Sequence, residues 1–184
     1  MRNVAIKADF LSADFTVRLR APNGDPKGWR YWVTIGADGG AWIAKVRQQI
    51  TGMASPEAVG DFPISEISDA TALTVAELVA SRTQAPPVAR RGRQHPPKSE
   101  LDRSVWVVTL DGVDGRREPR CADVIITRGP MQEGLNLRPE PCTASVRRRT
   151  DFEEAIWYRV PCADMTPQNA GDAAVSACRW IRWD

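Results

Sequence analysis

The four cysteines are the residues of this sequence best suited to bind a metal ion or to form disulfides. They are Cys121, Cys142, Cys162 and Cys178, and no two of them are close to each other along the chain. Structural zinc sites instead take two ligands from one tight turn, through C-x₂₋₄-C pairs. We therefore expect buried thiols, with disulfides, or a zinc or iron–sulfur site built from all four, as the alternatives.

Histidine chemistry is almost excluded by composition. The only histidine is His95, which lies in a proline-rich stretch that offers no partner to orient its ring. This argues against Ser-His-Asp and Cys-His catalysis and against multi-histidine metal sites. No glycine-rich phosphate loop, nucleophile elbow or kinase motif is present in the sequence either. We predict a protein that is not an enzyme and needs no cofactor; an enzyme that works through carboxylates or a cysteine-held metal is the alternative.

Two arginine clusters and seven tryptophans are the strongest signals of binding. Guanidinium groups bind carboxylates and phosphates in a bidentate manner, and arginine and tryptophan are enriched at the energetic centres of protein interfaces. The net charge is only +2 and no nucleic-acid-binding motif is present, so we favour other protein subunits over nucleic acid as partners. The predicted partner-binding residues are Arg90, Arg91, Arg93, Arg147, Arg148, Arg149, Trp180 and Trp183.

A segment rich in proline and arginine divides the chain of 184 residues. Residues 84–103 contain the pairs Pro86-Pro87 and Pro96-Pro97, which remove backbone donors and disfavour helix. We predict an extended linker or arm there. It would separate an N-terminal β-rich lobe, residues 1–83, from a C-terminal α+β lobe, residues 104–184, that contains all the cysteines.

Short runs of apolar and β-branched residues predict antiparallel hairpins. In the N-terminal lobe the strand-like runs are Val4–Phe10, Phe15–Arg20, Tyr31–Ile35 and Trp42–Val46. The last two would fold about Asp38-Gly39, which places Ile35 opposite Trp42. An amphipathic helix from Ala41 is the alternative to this hairpin.

The C-terminal lobe contains a second predicted hairpin, with strands at Val105–Leu110 and near Ala122–Thr127. A Trp-Val pattern that begins at Trp32 recurs at Trp106 and hints at two related lobes. The match is short and requires a gap, so chance similarity between two hairpins is the favoured explanation.

Three segments have the pattern of short helices. A capping box predicts a helix at about 75–82, and a second one at Thr150 predicts a helix that reaches Val160. A strand over Ala155–Val160 is the alternative for the second segment. An alanine-rich stretch predicts a helix over Asp172–Trp183, and residues 129–141 have the composition of a loop.

Together these patterns predict an α+β fold that is β-rich, made mostly of antiparallel hairpins with two or three short helices. No apolar run is long enough to span a membrane, and Lys7 and Asp9 interrupt any signal core, so we expect cytoplasmic synthesis. We predict a non-enzymatic structural or assembly subunit of a larger protein particle, such as a bacteriophage virion in its tail, baseplate or connector. The alternative is a small regulatory binding protein, either an inhibitor of a host defence complex or a nucleic-acid-binding accessory protein, that uses the arginine-rich arm.

Overall fold

The computed structural model describes residues 5–50, 52–88, 92–111, 118–129, 142–149 and 156–183. Within them the protein is β-rich, with eight strands and two helices, as the predicted α+β class requires. The elements are β1 (Ala5–Leu19), β2 (Trp29–Asp38), β3 (Ala41–Gln49), β4 (Glu57–Ile64), α1 (Asp69–Arg82), β5 (Lys98–Asp111), β6 (Arg120–Thr127), β7 (Cys142–Arg148), β8 (Tyr158–Cys162) and α2 (Pro167–Ala177). Neither helix is long and apolar enough to cross a membrane.

The chain divides into two compact units. The first unit is Ser12–Asp102, and the second unit comprises Met1–Leu11 together with Arg103–Asp184. In the first unit the strands are neighbours in the order β4-β3-β2-β1, and in the second in the order β5-β6-β7-β8. Each of these neighbouring pairs is antiparallel, so each unit is a meander of consecutive strands followed by one helix.

The hairpin between β2 and β3 confirms the predicted strands but corrects their register. The two turn residues are Gly39 and Gly40, whose φ values are 57° and 88°. Two consecutive residues with positive φ make a type I′ turn, which matches the twist of the flanking strands and favours glycine. Ile35 therefore pairs with Ala44, and the predicted pairing with Trp42 was wrong by two residues. A shift of two residues keeps the same side chains on the same face.

Helix α1 begins earlier than its predicted start. Ser68 caps it, and the Ser68 hydroxyl accepts a hydrogen bond of 3.1 Å from the backbone N–H of Thr71. Thr74, the predicted cap, lies inside the helix and its hydroxyl donates to the carbonyl oxygen of Ala70 at 2.9 Å. The prediction failed because Ser68 lacks the glutamate three residues on that marks a capping box.

The second unit confirms one predicted hairpin and overturns one predicted helix. Strands β5 and β6 contain the predicted strand residues and pair antiparallel. Residues 158–162 form strand β8, so the predicted helix ending at Val160 was wrong there and the strand alternative is closer. Its start at Thr150 lies outside the described residues, as does most of the predicted loop 129–141. Helix α2 overlaps the predicted range but begins before it, because Thr166 caps it and Pro167 occupies its first turn, and it ends at Ala177.

The two units repeat one structural pattern. The cross-strand pair Val33–Val46 of the first unit has its counterpart in Val124–Val146 of the second, and every neighbouring register agrees with this correspondence. Several buried positions carry the same residue in both copies. These pairs are Val17 and Val108, Leu19 and Leu110, Val33 and Val124, Ile35 and Ile126, Ala44 and Ala144, and Val46 and Val146. The fold is therefore an internal duplication of four strands and a helix.

The correspondence continues into the last strand and the helix of each unit. Pro63 in β4 and Pro161 in β8 occupy the same register position, opposite Ile43 and Thr143. The caps of the two helices follow these prolines at the same distance along the chain, and small buried residues recur along both helices. By contrast, the short sequence match between Trp32 and Trp106 compares β2, the second strand of its meander, with β5, the first strand of the other. The structural repeat therefore does not align these two tryptophans.

Each unit buries one face of its strands and leaves the other without a covering helix. Burial alternates along β2 and β5, and the buried side contains the fully enclosed aliphatic residues. Helix α1 contacts β2, β3 and β4, and α2 contacts β6, β7 and β8. The opposite side, called the outer face below, is half-buried or exposed and carries most of the polar side chains of these strands.

Candidate functional site

The structure brings two of the four cysteines together. Cys142 and Cys162 lie directly opposite each other on β7 and β8, and both are buried. Burial raises the pKa of the Cys162 thiol, and the neighbouring Cys142 adds to this effect. The Cys162 thiol donates a hydrogen bond to the carbonyl oxygen of Asp164, with an S–O distance of 3.1 Å. These contacts are those of structural thiols at the edge of a core.

The other two cysteines lie elsewhere in the second unit. Cys121 is on the outer face, where its sulfur is 3.8 Å from the hydroxyl of Thr109, and Cys178 caps the C-terminal end of α2. All four are free thiols. Within the described ranges, no group of three or more His, Cys, Asp or Glu side chains is close enough together to hold a metal ion.

The predicted arginine-rich arm is attached to the first unit on both sides of its arginines. The Asn23 side chain donates a hydrogen bond of 2.7 Å to the carbonyl oxygen of Pro86. Further along, the Gln94 side chain donates to the carbonyl oxygens of Ala21 and Asp25, at 2.9 and 3.1 Å. Pro86 and Gln94 are therefore both attached to the turn that joins β1 to β2.

The arm's own charged residues are only partly described. Arg93 and His95 are exposed, whereas Arg90 and Arg91 lie outside the described residues. A partner-binding role for Arg90, Arg91 and Arg93 stays a prediction.

The second arginine cluster is partly neutralised by one aspartate. Asp123 accepts hydrogen bonds from the guanidinium groups of Arg147 and Arg149, at 3.1 and 3.3 Å. Arg148, between them, is half-buried. The guanidinium carbon of Arg147 also lies 4.6 Å from the ring centre of Trp157, within the range of a cation–π contact. Arg147 is therefore held in one position by a carboxylate and an indole.

The two C-terminal tryptophans have different environments. Trp183 is buried, and its indole N–H donates a hydrogen bond to the carbonyl oxygen of Cys178. The carbonyl oxygen of Trp183 in turn accepts a hydrogen bond of 2.7 Å from the guanidinium group of Arg120. Trp183 therefore belongs to the core of the second unit. Trp180 is 45% exposed, stacks on Tyr158 and lies 4.2 Å below the guanidinium carbon of Arg179.

Sequence reasoning missed two exposed apolar residues of the second unit, one of which, Trp157, lies beside Arg147. Ile156 is 70% exposed and Trp157 is 38% exposed, immediately before β8 begins. Both had been assigned to a helix, which hid their exposure. We call Ile156, Trp157, Tyr158 and Trp180, with Arg147 and Arg179, the tryptophan surface. No predicted site residue other than Arg147 and Trp180 belongs to it.

Comparison of the chain with protein-family models, curated proteins and solved structures gave no match. No residue role can therefore be transferred from a relative.

Proposed function

We propose that this protein is a non-enzymatic structural or assembly subunit that binds other protein subunits through the tryptophan surface. The observation that carries the proposal is that three large apolar side chains of the second unit, Ile156, Trp157 and Trp180, are exposed. Trp157 and Trp180 each lie beside an arginine, and exposed apolar groups bordered by polar ones are characteristic of interaction sites in folded proteins. Tryptophan, tyrosine and arginine are also the residues that contribute most to protein interfaces.

The tryptophan surface is also rigid before any partner binds. Arg147 is fixed by Asp123 and Trp157, and Trp180 is held between Tyr158 and Arg179. A side chain that is already ordered loses little conformational freedom on binding, which otherwise costs about 0.5–1.5 kcal/mol for each long side chain. This arrangement favours stable contacts of the kind that a permanent assembly requires.

Proline on the last strands supports contacts through side chains in preference to strand addition. Pro63 and Pro161 lie on β4 and β8, each at the end of the strand order of its unit. Proline has no N–H to donate, and it is a common means of preventing edge-to-edge pairing. Growth of an assembly by continuous sheet extension is therefore disfavoured.

The proposed partners are further copies of this chain or other subunits of one particle, and a bacteriophage virion is the particle we consider first. The complementary surface would be apolar with acidic groups, because the tryptophan surface combines indole rings with arginines. Binding to such a partner would neutralise Arg179, for which the described residues supply no acidic group.

Light scattering during size-exclusion chromatography tests this proposal. We expect the wild-type protein to elute with a mass that is a multiple of 20.4 kDa, increasing with loading concentration. The double substitution Trp157→Ser, Trp180→Ser should return it to the monomer. The matched control is Leu78→Ser, which removes a similarly exposed apolar side chain from α1 and should leave the association intact. A wild-type protein that stays monomeric at high concentration would refute self-assembly through this surface.

A further inference from the structure

The outer face of the first unit carries arginines at adjacent positions of neighbouring strands. Arg18 on β1 lies directly opposite Arg30 on β2, and Trp32 on β2 lies directly opposite Arg47 on β3. All three arginines are exposed, and the guanidinium carbon of Arg30 lies 5.8 Å from the ring centre of Trp32. We call these four residues the basic face.

The arginines of the basic face form no ion pair with another described residue. Two carboxylates nearby each accept a hydrogen bond from a threonine, Asp14 from Thr34 and Asp102 from Thr16. Like charges directly opposite each other on two strands destabilise a sheet, so the Arg18–Arg30 pair is costly to the fold.

The second unit shows that the fold does not need this pair. The positions equivalent to Arg18 and Arg30 are Thr109 and Cys121, which face each other as uncharged neighbours. The position equivalent to Trp32 is Asp123, which neutralises Arg147, the counterpart of Arg47. The same framework thus carries a threonine and a cysteine in one unit where the other carries two facing arginines, and an aspartate where the other carries an indole.

The basic face continues onto the turn that anchors the arm. Lys27 and Arg30 line an open cavity of about 480 Å³ together with Gln49. Arg20 lines a second one, of about 380 Å³, with Gly92 and Gln94. Arg93 lies between these last two residues and is exposed. Of the ten acidic residues of the first unit, five lie on β4, on α1 or between them, and Asp25 lines the first of these cavities.

We propose that the basic face binds single-stranded nucleic acid. Exposed arginines without internal partners provide phosphate contacts, and a partly exposed indole beside them provides a surface on which a base can stack. A duplex keeps its bases stacked on one another and offers none to Trp32, which is why a single strand is the favoured occupant. This activity is separate from the protein assembly proposed above, because it uses the other unit.

Fluorescence anisotropy with a labelled single-stranded oligonucleotide of about 20 nucleotides tests the proposal. We expect wild-type affinity to fall with salt, with a slope of log K against log salt of about −0.7 for each phosphate contacted. The triple substitution Arg18→Ala, Arg30→Ala, Arg47→Ala should reduce the magnitude of that slope by about 2. The matched control is Arg82→Ala, Arg128→Ala, Arg182→Ala, which removes the same charge from exposed positions elsewhere and should keep the slope.

The indole is tested separately. Trp32→Leu should weaken binding by about 5- to 150-fold, the effect of losing one stacked base, whereas Trp32→Phe should retain most of the affinity. Circular dichroism verifies that each variant is folded. Absence of binding by the wild type, or equal effects of the two arginine triples, would overturn the proposal. So would a duplex that binds as tightly as the single strand, or an acidic polypeptide that displaces the oligonucleotide at equal charge concentration.

Discussion

Removal of the Tyr31 hydroxyl is expected to stabilise the protein. Tyr31 is completely buried in the first unit, and its hydroxyl has no hydrogen-bond partner among the described residues. A buried polar group left without a partner costs about 1–3 kcal/mol. Tyr31→Phe removes that group and keeps the ring, so the free energy of unfolding should rise by about 1–2 kcal/mol.

The same substitution should change how stability depends on pH. Burial raises the pKa of the Tyr31 phenol far above its ordinary value of about 10. Above that pH the unfolded chain loses the phenolic proton while the folded chain keeps it, so the unfolded state binds fewer protons and stability falls as pH rises. Tyr31→Phe should remove this part of the alkaline loss. A smaller loss of stability at alkaline pH should remain in this variant, because burial also raises the pKa of the Cys162 thiol.

Urea unfolding followed by tryptophan fluorescence, at neutral pH and again above about pH 10, measures both effects. Tyr158→Phe is the control, because Tyr158 is only half-buried and its change should stay within about 0.5 kcal/mol. A Tyr31→Phe variant less stable than the wild type would refute the reasoning. It would mean that a trapped water or another group satisfies the hydroxyl.

Three further predictions concern turns, caps and the basic face. Gly28→Ala should lower the free energy of unfolding in urea by about 2–4 kcal/mol, since the φ of Gly28 is 69° and a Cβ there would lie 2.5 Å from a backbone carbonyl oxygen. Gly40→Ala is the control: Gly40 has positive φ but open space around it, so the loss should be only about 1–2 kcal/mol. Equal losses would contradict the close approach at Gly28. Ser68→Ala and Thr166→Ala should each lower stability by about 1 kcal/mol in thermal unfolding, and no change at either would mean that the cap is dispensable. Arg30→Ala should raise the free energy of unfolding by about 0.2–1 kcal/mol at low salt, because it removes one of two facing charges, and the gain should shrink at high salt. A loss of stability would show that Arg30 supports the fold.

The strands could be predicted from the sequence where side-chain alternation and turn residues agreed. The β2–β3 and β5–β6 hairpins were located in this way, because one face of each strand is buried and the other is not. The register at Gly39 and Gly40 was missed because composition does not distinguish which two of several Gly and Asp residues adopt positive φ. The strand at Tyr158 was missed because its neighbours also satisfy a helical spacing.

The binding surfaces were harder to predict than the fold. Trp183 and Trp180 are close in the sequence, yet one is core and the other is exposed, a difference that depends on how the chain after α2 packs. The basic face escaped notice because Arg18, Arg30 and Arg47 are far apart along the chain and become neighbours only through strand pairing. The net charge did not indicate the basic face, since acidic residues of the first unit balance these arginines.

The repeat of four strands and a helix has a consequence for how this protein can evolve. The two copies share six identical enclosed residues, whereas residues on their outer faces differ. One copy carries facing arginines at the positions where the other carries uncharged side chains. The basic face could also be built on the second unit by substitution at the equivalent positions, which are Thr109, Cys121 and Asp123.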